Sequence, residues 1–329
     1  METTIITLLC ESGRTLSTET AHLLRESVGF TPEDIHKIRV ASKRLRAYWI
    51  LAAPAVGKPV AKEHAGDLRN AARTLSGPRD DFVRTEVLTE LADGARKKDR
   101  RAISLIRDEL FGSLLPANLS PTEIGALGLE QTLLRDATRW DEARMALEGR
   151  DDDDLVRQGF QRTFARARDA ASIALDLDTA TGYHRWRRWV KYTYYQYSWV
   201  ALDGDRPAST IEKRIKRLGS LLGRLHDIHQ LQDDLDARSL RASSPRAFRR
   251  VRTAVLSGEL DLKKEIDRLA PKVMDRKPGA VSHKLMKAFR QSRSRMAERT
   301  RGLQYHSLSS HEGDGAAGIV HTADSDLKA

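Results

Sequence analysis

Cysteine is nearly absent. The 329-residue chain has one, Cys10, which excludes an internal disulfide and a thiolate metal cluster. Proline and glycine are sparse, at 10 and 21, and alternating β-branched runs bounded by hairpin turns are lacking, which argues against a sheet-built fold. Long apolar runs are missing too. No uninterrupted stretch reaches the ~20 residues that span a bilayer. The opening METTIITLLCESGR has a short apolar core, no basic lead-in and an acid at Glu2, unlike a secretory signal. The chain therefore reads as soluble and cytoplasmic, with no membrane partner. Also absent are a P-loop, a G-x-S-x-G elbow and an H-E-x-x-H pair, which removes the commonest signatures of phosphate-cradling, serine-hydrolase and zinc-protease chemistry.

What is present is positive charge and helix signal. Lys and Arg number 57 against 46 Asp and Glu, a net +11 with a pI near 9.8, so the surface field favours polyanions such as nucleic acid, acidic lipid or polyphosphate. The punctuation predicts an all-α chain. Thr31-Pro32-Glu33-Asp34 supplies an N-cap hydroxyl, an N1 proline and two acids to a helix running to about Ala53, ended by Pro54 and Gly57. Ser120-Pro121-Thr122-Glu123 and Ser244-Pro245 repeat the device. Gly77-Pro78 is expected to close a helix over roughly 58–76, Gly94 to separate two more, and Gly182 and Gly204 with Pro207 to bracket the helix carrying Tyr183 to Leu202. The acids Asp151 to Asp154 suit a helix N-terminus. Beyond residue 305 the chain is poor in large apolar residues and reads as a disordered tail, 306–329.

An internal repeat organises the rest. His36-Lys37-Ile38-Arg39, followed by Lys43-Arg44-Leu45-Arg46, has a counterpart 148 residues later in His184-Arg185-Trp186-Arg187 and Lys191. Leu75 to Asp80 is answered by Leu222 to Asp227, 147 residues later. Two matches at nearly one offset predict two copies of one helical unit, 1–150 and 151–305. At about 100° per residue, His36, Arg39, Lys43 and Arg46 share an arc of roughly 80°, with Ile38, Ala41, Leu45 and Trp49 opposite. His184, Arg187 and Lys191 repeat the arc, with Trp186, Trp189, Thr193 and Tyr197 on the core side. A single basic stripe is usually a solvated face; a stripe duplicated in register with different core residues points to a ligand. Lys62, Arg69 and Arg73, then Lys213 and Lys216, then Arg162 and Arg166 turned away from Phe160 and Phe164, extend the candidate cationic surface.

The H-x-x-R-x-x-x-K-R-x-R block, the later R-D after leucine and glycine, and the weaker second copy resemble the histidine-containing α-helical domain family called CHAD, over about residues 15 to 300. The resemblance implies two pseudo-symmetric four-helix bundles around a basic groove or pore, and binding of inorganic polyphosphate. Its basic positions fall on His36, Arg39, Lys43 and Arg46, then on His184, Arg187 and Lys191. Tyr194-Tyr195 departs from the family's Arg-Tyr, so the counterpart of Arg46 is lost, and Leu75-Ser76-Gly77-Pro78 disturbs the usual spacing before Arg79. No cofactor, metal ligand or catalytic group is expected, and polyphosphate granules are a second candidate location. Two rival readings remain. Phosphate contacts alone could hold nucleic acid, with Trp140, Trp186, Trp189, Trp199, Tyr192 or Tyr194 stacking on bases. His226-Asp227-Ile228-His229 with Asp233, Asp234 and Asp236 invites comparison with metal phosphohydrolases, although these aspartates suit orienting basic side chains, and Asp80 and Asp227 suit helix starts.

Overall fold

Helix α1 (Ile5–Glu26) is capped by Thr4, whose Oγ1 accepts the Thr7 N–H at 3.3 Å. Helix α2 (Pro32–Val56) opens on a full capping box: Thr31 Oγ1 accepts from the Asp34 N–H at 3.2 Å, and Asp34 Oδ2 accepts from the Thr31 N–H at 3.1 Å. The helix runs past Ala53 and through Pro54. A proline so near the end sacrifices one bond, and Gly57, at φ 95°, closes the helix by donating its N–H to the Ala53 carbonyl at 3.1 Å. The structure, a computed structural model, describes residues 4–75, 77–112, 119–147, 153–200 and 209–290, apart from the side chains of 77–82, 153 and 241.

The α-helix expected over 58–76 is shorter: α3 (Lys58–Ala71) gives way to a 3₁₀ turn, Ala72–Leu75. Helices α4 (Gly77–Asp93) and α5 (Lys97–Leu110) part at Gly94 as predicted. The Ser120–Glu123 box forms, but it closes only a turn; α6 (Ala126–Ala146) starts after Gly125, whose φ of 63° breaks the backbone path. Helix α7 (Asp153–Leu177) meets α8 (Ala180–Val200) through a two-residue turn. Gly182 lies inside α8 rather than before it, and serves the approach of the two helices: a Cβ there would stand 3.0 Å from Thr179 Oγ1 and 3.2 Å from the Ala174 Cα. Helices α9 (Thr210–Arg238) and α10 (Pro245–Met274) are capped by Ser209 and Ser244, and a further helical stretch covers 278–290. Gly204, Pro207, the acids Asp151 and Asp152, the predicted division at residue 150 and the 306–329 tail lie outside the described residues.

The described residues are all-helical, apart from one β-bridge, Phe30 to Leu119, that ties the α1–α2 loop to the approach to α6. Helices α1, α2, α3 and α6 pack together, as do α7, α8, α9 and α10. A continuous apolar core runs through both groups, beside a smaller cluster between α2 and α8. Inside the first, Trp49 stacks on Trp140 with ring centroids 3.6 Å apart, and both indoles donate to the buried Asp136. The groups meet where α2 packs on α7 and α8. Gly159 of α7 sits so close to α2 that a Cβ would overlap the Leu51 carbonyl oxygen.

The α4–α5 hairpin crosses over. Encoded between α3 and α6, it packs on α9 and α10, held by Arg84 to Asp234, Arg224 to Glu90 at 2.7 Å and Arg250 to Asp99 at 2.7 Å. Among the described residues no helix is long and apolar enough to cross a membrane.

Candidate functional site

Helices α2 and α8 cross where Ala47 meets Tyr192 and Tyr195, edged by Val40, Ile50, Trp189 and Tyr194. A small residue at the crossing lets the backbones come close, and the buried Gln196 spans them by donating Nε2–H to the Ala47 carbonyl at 2.9 Å. Cations collect around this crossing in two adjoining places.

The first is a cavity of about 450 Å³ between α2, α3, α7 and α8. Seven cations line it: Arg46, Lys58, Lys62, Arg69, Arg162, Arg166 and Arg188; no lining residue is acidic. All but Arg46 are exposed and stand at the mouth, while Ala61, Thr163 and Tyr192 are buried at the floor. The aromatics hold the guanidinium planes: Arg166 lies 4.9 Å and Arg188 5.7 Å from the Trp189 ring centre, and Arg46 5.6 Å from that of Tyr192. Arg46 Nε is buried without a hydrogen-bond partner. Burial pushes the Arg46 pKa down and repulsion from Arg69 and Arg188 adds to this, against an opposing pull from Tyr192. Among the described residues, Lys58, Lys62, Arg69, Arg166 and Arg188 have no carboxylate partner, whereas Arg139 is paired with Asp67 at 2.8 Å and Arg25 with Glu130 at 2.7 Å. Uncompensated like charges converge here at a cost to folding, and a bound polyanion removes that cost.

The second place lies where α8 and α9 face α2. His184 and His226 bring their Nδ1 atoms to 3.4 Å, with ring centroids 4.7 Å apart. Burial first, then the Arg187 charge, pushes His226 down to about 3, and burial with Arg187, Arg188 and Lys43 lowers His184. Both rings are therefore neutral near pH 7. Lys191, with Arg187, Asp227 and Lys216 in its field, is lowered mainly by burial. Arg188 acts on both Arg46 and His184, so the two places form one positive surface. Arginine forks and compact ammonium groups at such density are suited to many phosphate oxygens at once.

A family model described as CHAD domain matches residues 14–236, from α1 into the last turn of α9. The chain belongs to the CHAD domain family. No curated protein and no solved structure matches it. The CHAD match stops short of the reach to residue 300 expected from sequence, leaving α10 beyond it.

In this CHAD protein the two basic helices behave as their periodicity predicts on the buried side: Ile38, Ala41, Leu45, Trp49 and Trp186 are all buried. The charged side divides. Arg46, Lys62, Arg69, Arg162 and Arg166 reach the cavity; Lys43, His184, Arg187, Lys191 and Lys216 gather around the histidine pair. Arg39 donates Nη1–H to the Leu75 carbonyl at 2.9 Å, fastening α2 to the 3₁₀ turn. His36 is exposed in the second turn of α2, and Lys213 in the first turn of α9; neither lines the cavity. Arg73 does not line the cavity either: the chain leaves the α-helical path at Ala72, which alters the azimuth expected from α3.

Three further expectations change. Trp189 is half-buried on the cavity wall rather than in the core, with two arginines over its ring. Asp227 lies in the middle of α9 and starts no helix, while the side chains of Arg79 and Asp80 lie outside the described residues. Two of the three aspartates that follow His229 pair with arginines, Asp234 with Arg84 and Asp236 with Arg252 at 3.1 Å, in keeping with groups that orient basic side chains. Lys58 and Arg188 were missed. Lys58 shares its helix face with Lys62 and Arg69, within about 40°, and was legible from that spacing; Arg188 stands about 100° from Arg187, off the stripe that drew attention to α8.

Proposed function

We propose that this CHAD protein binds inorganic polyphosphate, without chemistry on it, through the α2–α3–α7–α8 cavity and the adjoining histidine cluster, with its two helix groups acting as copies of one unit. The observation that carries the reading is the cavity lining: seven cations and no acid. A polymer with about one charge per internal phosphate and no bases to read needs repeated cations and little else. A non-enzymatic reading is supported over metal-assisted hydrolysis by the surroundings of His226. Lys43 and Arg187 add positive charge there, which repels a divalent cation, and Asp234 and Asp236 are already engaged by arginines. Association with polyphosphate granules follows from the same reading.

The test is a competition at fixed salt. Labelled long-chain polyphosphate bound to the protein is challenged with unlabelled polyphosphate, single-stranded DNA and heparin, alongside Arg46→Ala/Arg188→Ala and a control, Arg217→Ala, whose side chain pairs with Glu265 on another face. Polyphosphate displaces best and the double variant binds several-fold more weakly than the control if the reading holds. Equal competition per charge with an unaffected double variant leaves net charge as the explanation and refutes the site.

A further inference from the structure

A channel for a bare phosphate chain has no use for apolar surface, yet the cavity has a good deal of it. Below the cations lie Ile50 and Ala53 from α2, Ala61 and Ala65 from α3, and Trp189 and Tyr192 from α8. Its volume, about 450 Å³, falls within the usual range for a site that takes one compact ligand. Phosphate oxygens set against this floor would lose water without gaining partners. A planar organic group would bury it. The guanidinium planes over Trp189 add a stacking platform, since Arg faces and indoles both accept nucleobases. At depth, the half-buried Arg46 side chain lines the cavity beside Tyr192.

We infer that the cavity takes a nucleoside polyphosphate, with its base on the apolar floor beside Trp189 and its phosphates on Arg46, Arg69, Arg166 and Arg188. The inference rests on the reading of the cavity as a phosphate site and adds an organic moiety to what it recognises. The charge of the phosphates fits the six exposed cations at the mouth, and the base fits the floor that those cations leave free. One group without the other uses half of the cavity.

The experiment is calorimetric titration of the full chain with ATP and with inorganic tripolyphosphate, both without divalent cations and at one ionic strength, with long-chain polyphosphate as a third ligand. ATP is expected to bind about tenfold more tightly than tripolyphosphate, the scale of one base stack. Trp189→Leu is expected to remove most of that preference: it weakens tripolyphosphate by loosening Arg166 and Arg188, and weakens ATP by the further factor of the lost stack. Ala65→Leu, which narrows the floor and removes no cation, provides a second variant should the first fail to fold. If tripolyphosphate and the long chain bind while ATP gains nothing, or if both variants weaken ATP and tripolyphosphate equally, this inference is wrong and the phosphate reading stands. If none of the three ligands binds, both fall.

Discussion

Asp136 is the most constrained carboxyl among the described residues. It is fully buried in the first helix group, accepting from Ser17 at 2.8 Å, Trp49 at 2.8 Å and Trp140 at 3.0 Å. Burial outweighs those bonds and raises its pKa from 3.8 to about 6. Because the folded value lies above the unfolded one, folding favours the protonated form: the contribution is greatest below about pH 4, declines as pH rises to 6 and is flat beyond. The swing is about 3 kcal/mol. Asp136→Asn strands one indole donor, Trp49 or Trp140, and is destabilising, yet its penalty relative to wild type should shrink between pH 4 and 7 in urea unfolding; a penalty independent of pH would refute the raised pKa. The histidine pair has the opposite sign. Both rings are held below the ordinary imidazole value, His226 at about 3, so the stability of the unliganded chain from this pair is present above pH 6.5 and is lost as pH falls below it. A bound polyanion reverses the local field and draws protons onto the rings. Polyphosphate affinity should therefore rise several-fold from pH 8 to pH 6, and more steeply in wild type than in His184→Gln/His226→Gln; parallel pH profiles would remove the pair from the site.

Single helices were largely legible. The N-caps at Thr31 and Ser244 and the apolar stripes of α2 and α8 depend on residues one to four apart, within reach of local rules. The ends were less so: Pro54 and Gly182 punctuate a sequence, but their tolerance inside helices depends on what packs beside them. The site was legible as a set of faces and not as a place. That Arg46 of α2 shares a cavity with Arg69, Arg162 and Arg188, while Lys43 one turn earlier turns to His184 and His226, depends on how four helices cross. The crossing itself has a signal in Gly159, where α7 touches the α2 backbone. Gly159→Ala should force α2 and α7 apart at the cavity wall, costing about 1–3 kcal/mol or more, with a loss of polyphosphate affinity at temperatures where the variant is still folded. Unchanged stability in thermal unfolding would show that the contact yields.

Across the described residues the cavity lining stands out by holding seven cations and no acid, while other cations such as Arg25 and Arg139 are paired with carboxylates. Polyphosphate at a hundredfold excess over Kd should stabilise the fold by about 2.7 kcal/mol, seen as a Tm several degrees higher that falls back as salt rises; no shift at low salt would contradict binding to the folded state. The α4–α5 hairpin bears on a different matter, the order in which the protein is made. Leu110 leaves the ribosome well before Met274, at the end of the helix on which α5 packs, has been synthesised. At ~5–20 residues per second, that is a wait of roughly ten to thirty seconds. Through that interval α5, whose Ile103 and Ile106 are buried in the finished fold, lacks the α10 face and has only α4 to pack on. The nascent chain is thus open to chaperones and proteases in a segment that contributes nothing to the lining of the cationic cavity.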